Sequence, residues 1–442
     1  MTMAYIVHTQ LFVSLPSFFI SNNVVLLALG GACAFLLSYL LTFGVIAVAR
    51  HFDLLDRSTP ERKREHKIPV PRLGGVAMYV AFVVASLVFY ANDPELQHKE
   101  FVIYWLLLAS ATLTVIVNAY DDIKGLKPLT KLIAQTVAVL IILGPWFADM
   151  KFHGVLLFGF SNPFGIISTG YQPWFLRPEI TLFISPPDGQ LPAISLLAIP
   201  AVLLTWFWIV GMMNTINWID GMDGLATGVV GFTALFIAII SWTLGQHTIA
   251  ILSAIFTGAV FGFLPHNWNP ARIFMGDSGS QFIGLGLAVL SIMGGAKIAL
   301  ALMVLGIPIL DVALVMINRV RRGQRPWHYD TTHLHQRLRS TGWTVRQICY
   351  VLYGLTILFG VLAVVFKHAL KFVGLGIVVL AMAALIFWID YSQRQGGGRI
   401  RLGGPDPEPP DPVETPLPEK PSQLQESVER TAIPVEEGKH NA

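Results

Sequence analysis

Long apolar runs, broken by short polar stretches, dominate the chain from residue 24 to residue 390. A membrane crossing needs roughly 20 mostly apolar residues. Runs of about that length lie at 24–49, 73–91, 101–119, 130–148, 192–211, 225–244, 247–265, 280–295, 297–318, 347–366 and 370–390. The pattern predicts an all-α, polytopic integral membrane helical bundle of about eleven transmembrane helices. Gly294-Gly295 is the only punctuation between the runs at 280–295 and 297–318, which predicts a tight helical hairpin. Residues 149–191 are rich in Gly, Pro and aromatics, and short β-like pieces such as Gly154–Phe160 are expected to form a hairpin lid there. From residue 395 the chain turns to Gly396-Gly397-Gly398 and then to a Pro- and Glu-rich stretch that cannot bury a core. The expected organisation is an N-terminal extracytoplasmic segment 1–23, a transmembrane domain 24–394 and a disordered cytoplasmic tail 395–442. Residues 1–23 hold no Lys or Arg, so the charged start of a signal peptide is missing and the first run is expected to stay as a span.

Charge in the loops sets the orientation. Arg50, Arg57, Arg62, Lys63, Arg64, Lys67 and Arg72 crowd the first loop, whereas 92–100 holds only Lys99. Lys124, Lys127 and Lys131 follow the third run, and the long stretch after the fourth has only Lys151 and Arg177. Between the ninth and tenth runs stand Arg319, Arg321, Arg322, Arg325, Arg337, Arg339 and Arg346. Basic loops face the cytoplasm, which puts the N-terminus outside, the C-terminus inside, and every polar cluster described below on the cytoplasmic side.

Composition agrees with the pattern. Of the 442 residues 54% are hydrophobic and 13% charged, with a mean hydropathy of +0.61, against about 25% charged in soluble domains. A net charge of +3 is too small to argue for nucleic acid. Cys33 and Cys349 both lie in or beside apolar runs, which suits packing and neither a disulfide framework nor a metal site.

The chemistry-bearing stretches sit between the runs. Asn214, Asn217, Asp220 and Asp223 recur every three residues, so on a helix they share one broad face. Acids and amides at membrane depth are costly unless they bind something. A polar helix end in the headgroup region would account for one or two of them, not four. Asn118 leads into Asp121-Asp122, with Lys124, Lys127 and Lys131 beyond; the pair suits a metal site, a general base or a solvated acid pair. In Phe274-Met-Gly-Asp-Ser-Gly-Ser280, Asp277 suits a Mg²⁺ ligand and equally a cap for the next helix. His333-Leu-His335 has no cysteine near it to suggest a zinc site, and with Arg337 beside it a phosphate-binding role fits better. Gly74-Gly75, at the head of a run, could offer backbone N–H groups to a phosphate. The sum is a Mg²⁺-dependent reaction of a phosphorylated substrate at the cytoplasmic membrane surface, with a lipid partner.

Together Asp121-Asp122, Asn217-x-x-Asp220-Gly-x-Asp223-Gly-Leu225, Phe274-Met-Gly-Asp277-Ser-Gly-Ser280 and His333-Leu-His335 resemble the polyprenyl-phosphate N-acetylhexosamine-1-phosphate transferases, over about residues 51–346. Within that family the chain looks most like the undecaprenyl-phosphate N-acetylglucosamine-1-phosphate branch. The peptidoglycan branch, which uses UDP-MurNAc-pentapeptide, usually carries three consecutive histidines in the last loop; here Gln336 follows His335. A third acid often found after the Asp pair is Gly125 here. The resemblance implies Asp277 as a Mg²⁺ ligand, with Mn²⁺ able to substitute, and Asn217 and Asp220 assisting. It implies that Asp121 and Asp122 activate or orient the prenyl phosphate and that Lys131 contacts the diphosphate. Asp223 would bond uracil, Phe274 would stack on it, and His333, His335 and Arg337 would hold the sugar-phosphate end. The implied partners are a UDP-N-acetylhexosamine, a polyprenyl phosphate and the lipid bilayer, with a homodimer compatible and no nucleic acid. The implied location is the bacterial cytoplasmic (inner) membrane, with the active site facing the cytoplasm, at the first step of a cell-envelope polysaccharide. A transporter is the reading from another class, but its acids would lie at mid-membrane in repeated halves, and no internal repeat is present here.

Overall fold

The computed structural model describes residues 22–56, 69–146, 151–152, 154–155, 198–293, 334–366 and 370–395, with isolated positions within 306–323. Helix α1 (Asn23–His51) opens on the Asn22 side chain, which accepts the Val24 N–H. Strands β1 (Leu55–Asp56) and β2 (Val70–Pro71) pair antiparallel, Leu55 opposite Pro71. They lead into α2 (Gly74–Ala85), which relaxes into a π-helical turn over Ser86–Tyr90. Helix α3 (His98–Lys124) starts with a reciprocal Gln97–Glu100 capping box, and α4 (Pro128–Leu143) with Pro128 at its first position. A short antiparallel pair, β3 (Pro145–Trp146) with β4 (Lys151–Phe152), follows. The helices α5 (Ala198–Ile219), α6 (Leu225–Thr243), α7 (His247–Asn267) and α8 (Gly276–Met293) come next in the chain. Among the described residues the last are α9 (Leu334–Ser340), α10 (Val345–Val365) and α11 (Leu370–Gln395).

Most of α6, α7 and α8 is buried all round, so these helices form the centre. Helix α1 buries one stripe, Leu26, Gly30, Ala34, Ser38, Thr42 and Ile46, and presents Leu36, Leu40 and Phe43 outward. Outward apolar side chains are what a lipid-facing helix carries, since hydrocarbon solvates them at no cost. The small residues on the α1 stripe let α7 approach closely: a Cβ at Gly258 would overlap the Gly31 carbonyl oxygen. Between apolar helices in lipid, such close backbone packing replaces the hydrophobic drive that water would supply.

The protein is thus an all-α membrane protein, the described residues holding besides helices only two-residue strands. Among the described residues, α1, α3, α5, α6, α7 and α10 are long and apolar enough to cross a membrane, six in all. Residues 74–90 and 128–143 form shorter apolar helices. The run at 297–318 and the Gly154–Phe160 hairpin fall largely outside the described residues, as do 57–68 and the chain beyond 395.

Candidate active site

Four helix ends supply the candidate chemistry. Asp121 and Asp122 lie in the last turn of α3, Lys131 in the first turn of α4, Asn217 in the last turn of α5 and Asp277 in the first turn of α8. The Lys131 Nζ stands 2.5 Å from Asp121 Oδ2 and 2.6 Å from Asp277 Oδ2. One cation therefore already sits between two carboxylates drawn from positions 156 residues apart. Asn217 Nδ2 donates to Asp277 Oδ1 (3.1 Å) and to Ser280 Oγ (2.8 Å). Asp121 also accepts the Leu126 N–H, which folds the α3–α4 turn back onto the site.

Asp122 points elsewhere. Its carboxylate accepts the Asp277 N–H (2.7 Å), the Ser278 N–H (3.0 Å) and the Ser278 hydroxyl (2.8 Å). Those N–H groups open α8 and have no carbonyl within the helix to bond. An acid from α3 caps them and meets the positive end of the α8 dipole. Gly276 is required beside it: its φ is +70°, and a Cβ there would overlap the Asp122 carboxylate. Helix α8 is thus capped across space by Asp122, and Asp277 is left to face Lys131.

The Gly74-Gly75 expectation is corrected. Their N–H groups donate to the Phe274 and Met275 carbonyls, each at 3.0 Å, and the Phe274 N–H donates to Pro71 O. This strand-like pairing consumes the donors a phosphate would need, and it ties the entry of α2 to the entry of α8.

A second cluster surrounds the α5–α6 turn. Asp223 is buried, and its Oδ2 accepts Asn269 Nδ2 (2.9 Å) and the Ala271 N–H (3.0 Å). Asn267 accepts the Gly224 N–H and the Thr227 hydroxyl and donates to Ile273 O. Together the two side chains clip the 268–275 loop, which carries half-buried Phe274, against the start of α6. Trp268 lies beside Tyr350 and Tyr353 of α10, with ring centroids 5.5 and 6.1 Å apart. His335 is buried over the same turn, its Nε2 2.8 Å from where a Gly221 Cβ would stand. The Leu334 N–H at the start of α9 donates to buried Asp311 at 2.7 Å. Asp220 is partly exposed in the turn and Arg337 partly exposed on α9, while His333 lies outside the described residues.

The structure therefore brings Asp121, Lys131, Asn217 and Asp277 together, sets Asp122 under α8, and gathers Asp223 and His335 about the neighbouring turn. Sequence reasoning passed over Asn267, Asp311, Gln135 and Gln281. A signal existed for three of them: Asp311, Gln135 and Gln281 are polar residues inside apolar runs, which at membrane depth are functional until shown otherwise.

For a divalent cation the donor chemistry fits. Two carboxylates that converge on one cation, with an amide alongside, are a hard oxygen set, and Mg²⁺ binds through one or two carboxylates while keeping waters and substrate phosphates. As placed, Asn217 turns its nitrogen toward Asp277. Among the described residues no group of three or more His, Cys, Asp or Glu side chains clusters as a ready-made cage.

Known proteins are similar to this chain in sequence. The profile of glycosyl transferase family 4 matches residues 104–295, which span α3 to α8. A decaprenyl-phosphate N-acetylglucosaminephosphotransferase of Mycobacterium leprae is 31% identical, over 74% of this chain and 80% of its own length. A probable undecaprenyl-phosphate N-acetylglucosaminyl 1-phosphate transferase of Bacillus subtilis is 28% identical, over 73% and 80%. A phospho-N-acetylmuramoyl-pentapeptide-transferase of Halalkalibacterium halodurans is 29% identical, over 70% and 86%. The matched region contains the four helix ends on which the acids and Lys131 meet, and on this likeness along most of its length the chain belongs to glycosyl transferase family 4.

Proposed function

We propose that this membrane protein transfers N-acetylglucosamine-1-phosphate from UDP-N-acetylglucosamine to a polyprenyl phosphate, undecaprenyl phosphate being the expected acceptor. A phosphate oxygen of the lipid attacks the sugar-bound phosphorus, a new P–O–P bond forms, the bond to UMP breaks, and UMP carries the displaced charge away. The observation that carries this reading is the meeting of Lys131 with Asp121 and Asp277 at the helix ends. A cationic centre flanked by acids suits a diphosphate held beside an anionic lipid headgroup. Relatives named for this transfer support it.

We assign Asp277 to hold Mg²⁺, with Asn217 and Asp220 assisting and Mn²⁺ able to substitute. Bound there, the ion supplies charge neutralisation at the diphosphate. Lys131 binds the diphosphate oxygens, and Asp121 orients the acceptor phosphate. Asp122 acts through α8 by fixing where Asp277 begins. Asp223 and Phe274 receive the uracil, and His333, His335 and Arg337 the sugar-phosphate end. The test is direct: purified protein given UDP-N-acetylglucosamine, undecaprenyl phosphate and Mg²⁺ releases UMP. No UMP with that pair, but release with UDP-MurNAc-pentapeptide, would move the chain to the peptidoglycan reaction. No release with either donor would sink the reading.

In the bacterial inner membrane, the basic loops put this site on the cytoplasmic face, in a domain of about eleven crossings over 24–394. Single cysteines at position 95 and within 160–190 are therefore expected to label from outside, and cysteines at 125 and 330 are not. Outside labelling at 330 would separate the last loop from the remaining motifs and break the single-face site. Residues 395–442 are assigned no part in the chemistry.

A further inference from the structure

One helical turn inward from the charged cluster, the same three helices carry a second polar set. Gln135 lies four residues after Lys131 on α4, Gln281 four after Asp277 on α8, and Asn214 three before Asn217 on α5. A step of three or four residues returns to the same helix face. Because α5 ends at the site where α4 and α8 begin, all three steps lead inward. The three amides meet there. Gln135 Nε2 donates to Gln281 Oε1 (2.9 Å) and Asn214 Oδ1 (3.3 Å). Asn214 Nδ2 donates to Gln135 Oε1 (3.1 Å) and to the Val210 carbonyl (2.8 Å). That carbonyl can only accept, so it fixes which end of Asn214 is nitrogen, which in turn fixes Gln135, and then Gln281.

Gln135 and Gln281 are both buried. Amides in such surroundings are costly unless paired, and apolar side chains would pack three helices without that cost. What the amides add is direction without charge. Neutral, they do not compete for Lys131 or for a cation. Directional, they tolerate neither a slip nor a rotation of one helix against another.

We infer that the Gln135–Asn214–Gln281 layer is a positioning device for the transfer reaction: it locks the register of α4, α5 and α8, on which the meeting of Lys131, Asn217 and Asp277 depends. The inference rests on the site reading above and adds three residues to it, none of which touches substrate.

The experiment uses the full chain, purified in detergent, with turnover, thermal unfolding and acylation of Lys131 by a water-soluble amine reagent measured side by side. Gln135→Leu should lower kcat about 10- to 100-fold, since a displacement near 1 Å at reacting groups costs that much. The KM for the UDP-sugar should rise as well, because in the reading above Lys131 and Asp277 also hold its diphosphate in the ground state. Acylation of Lys131 should rise as the ammonium leaves its two carboxylates. The glutamate variants separate positioning from filling. Gln281→Glu keeps the accepting oxygen and adds the same charge as Gln135→Glu, so it should lose clearly less turnover than Gln135→Glu. Gln135→Glu turns an acceptor toward two acceptors and should do no better than Gln135→Leu. Equal losses in both glutamate variants would overturn the inference. So would a kcat loss that merely follows the loss of folded protein, with Lys131 acylation unchanged. If the unaltered chain releases no UMP, the functional reading fails by itself. The ranking of Lys131 acylation across the variants then still decides for or against the layer.

Discussion

Asp277→Asn is expected to lower turnover by about 10³-fold or more, since charge that stabilises a phosphoryl-transfer transition state is among the strongest contributions to catalysis. The substitution keeps size and one oxygen but removes the charge that faces Lys131 and, in the proposed assignment, a hard divalent cation. The Asn217 contact to Oδ1 can survive, and so can the backbone bond from the Asp277 N–H to Asp122, so the helix end should stay in place. Thermal unfolding is accordingly expected to shift little, which distinguishes a lost ligand from a lost fold. Asp121→Asn should also be severely impaired, for a different reason. Nucleotide-sugar binding tells the two apart: Asp277→Asn should lose the Mg²⁺-dependent part of its affinity for the UDP-sugar, and Asp121→Asn should keep most of it. Excess Mg²⁺ or Mn²⁺ should partly restore the first variant and not the second. If Asp277→Asn bound the UDP-sugar with unaltered, Mg²⁺-dependent affinity, Asp277 would not be the ligand. Wild-type turnover in that variant would remove the site altogether.

The second large effect is expected at Asp122, through structure. Asp122→Ala strands two backbone N–H groups at the start of a buried helix and leaves the Ser278 hydroxyl only its long contact to the Met275 carbonyl. Loss of a cap costs about 1–2 kcal/mol, and donors left buried without a partner cost about 1–3 kcal/mol each. The α8 entry should shift or fray, Asp277 with it, and activity and thermal stability should fall together. Asp122→Asn should be intermediate, because its amide oxygen still accepts while its nitrogen faces donors. A direct role on the lipid phosphate predicts a different outcome: Asp122→Asn would then unfold at the wild-type temperature, bind UDP-sugar normally and fail only in kcat. That result would return Asp122 to the chemistry and remove it from the helix cap.

These two neighbours show where reading the chain reaches its limit. In sequence, Asp121 and Asp122 are one feature, an acid pair before three lysines. In space they diverge, since adjacent side chains on a helix point about 100° apart. One meets Lys131, and the other meets the backbone of a helix that begins 154 residues later. The same holds for the glycines at 74 and 75. As a Gly-Gly pair at a helix start they read as phosphate donors, and pairing with Phe274 and Met275 spends those donors on the fold.

What the sequence determined by itself was local. Apolar length and loop charge answer to the bilayer, which acts on each segment independently, so the all-α membrane class and the polar stretches at helix ends could be read one segment at a time. Family membership was likewise legible, because it rests on motifs each contained within a few residues. Only the tertiary structure decided which partners those polar groups have. Asp277, Lys131 and Asn217 meet because the ends of α4, α5 and α8 converge, and the amides of Gln135, Asn214 and Gln281 join the same three helices one turn inward. Contacts of that kind join residues far apart in the chain, and their geometry follows from how whole helices pack; no spacing within a single segment encodes it.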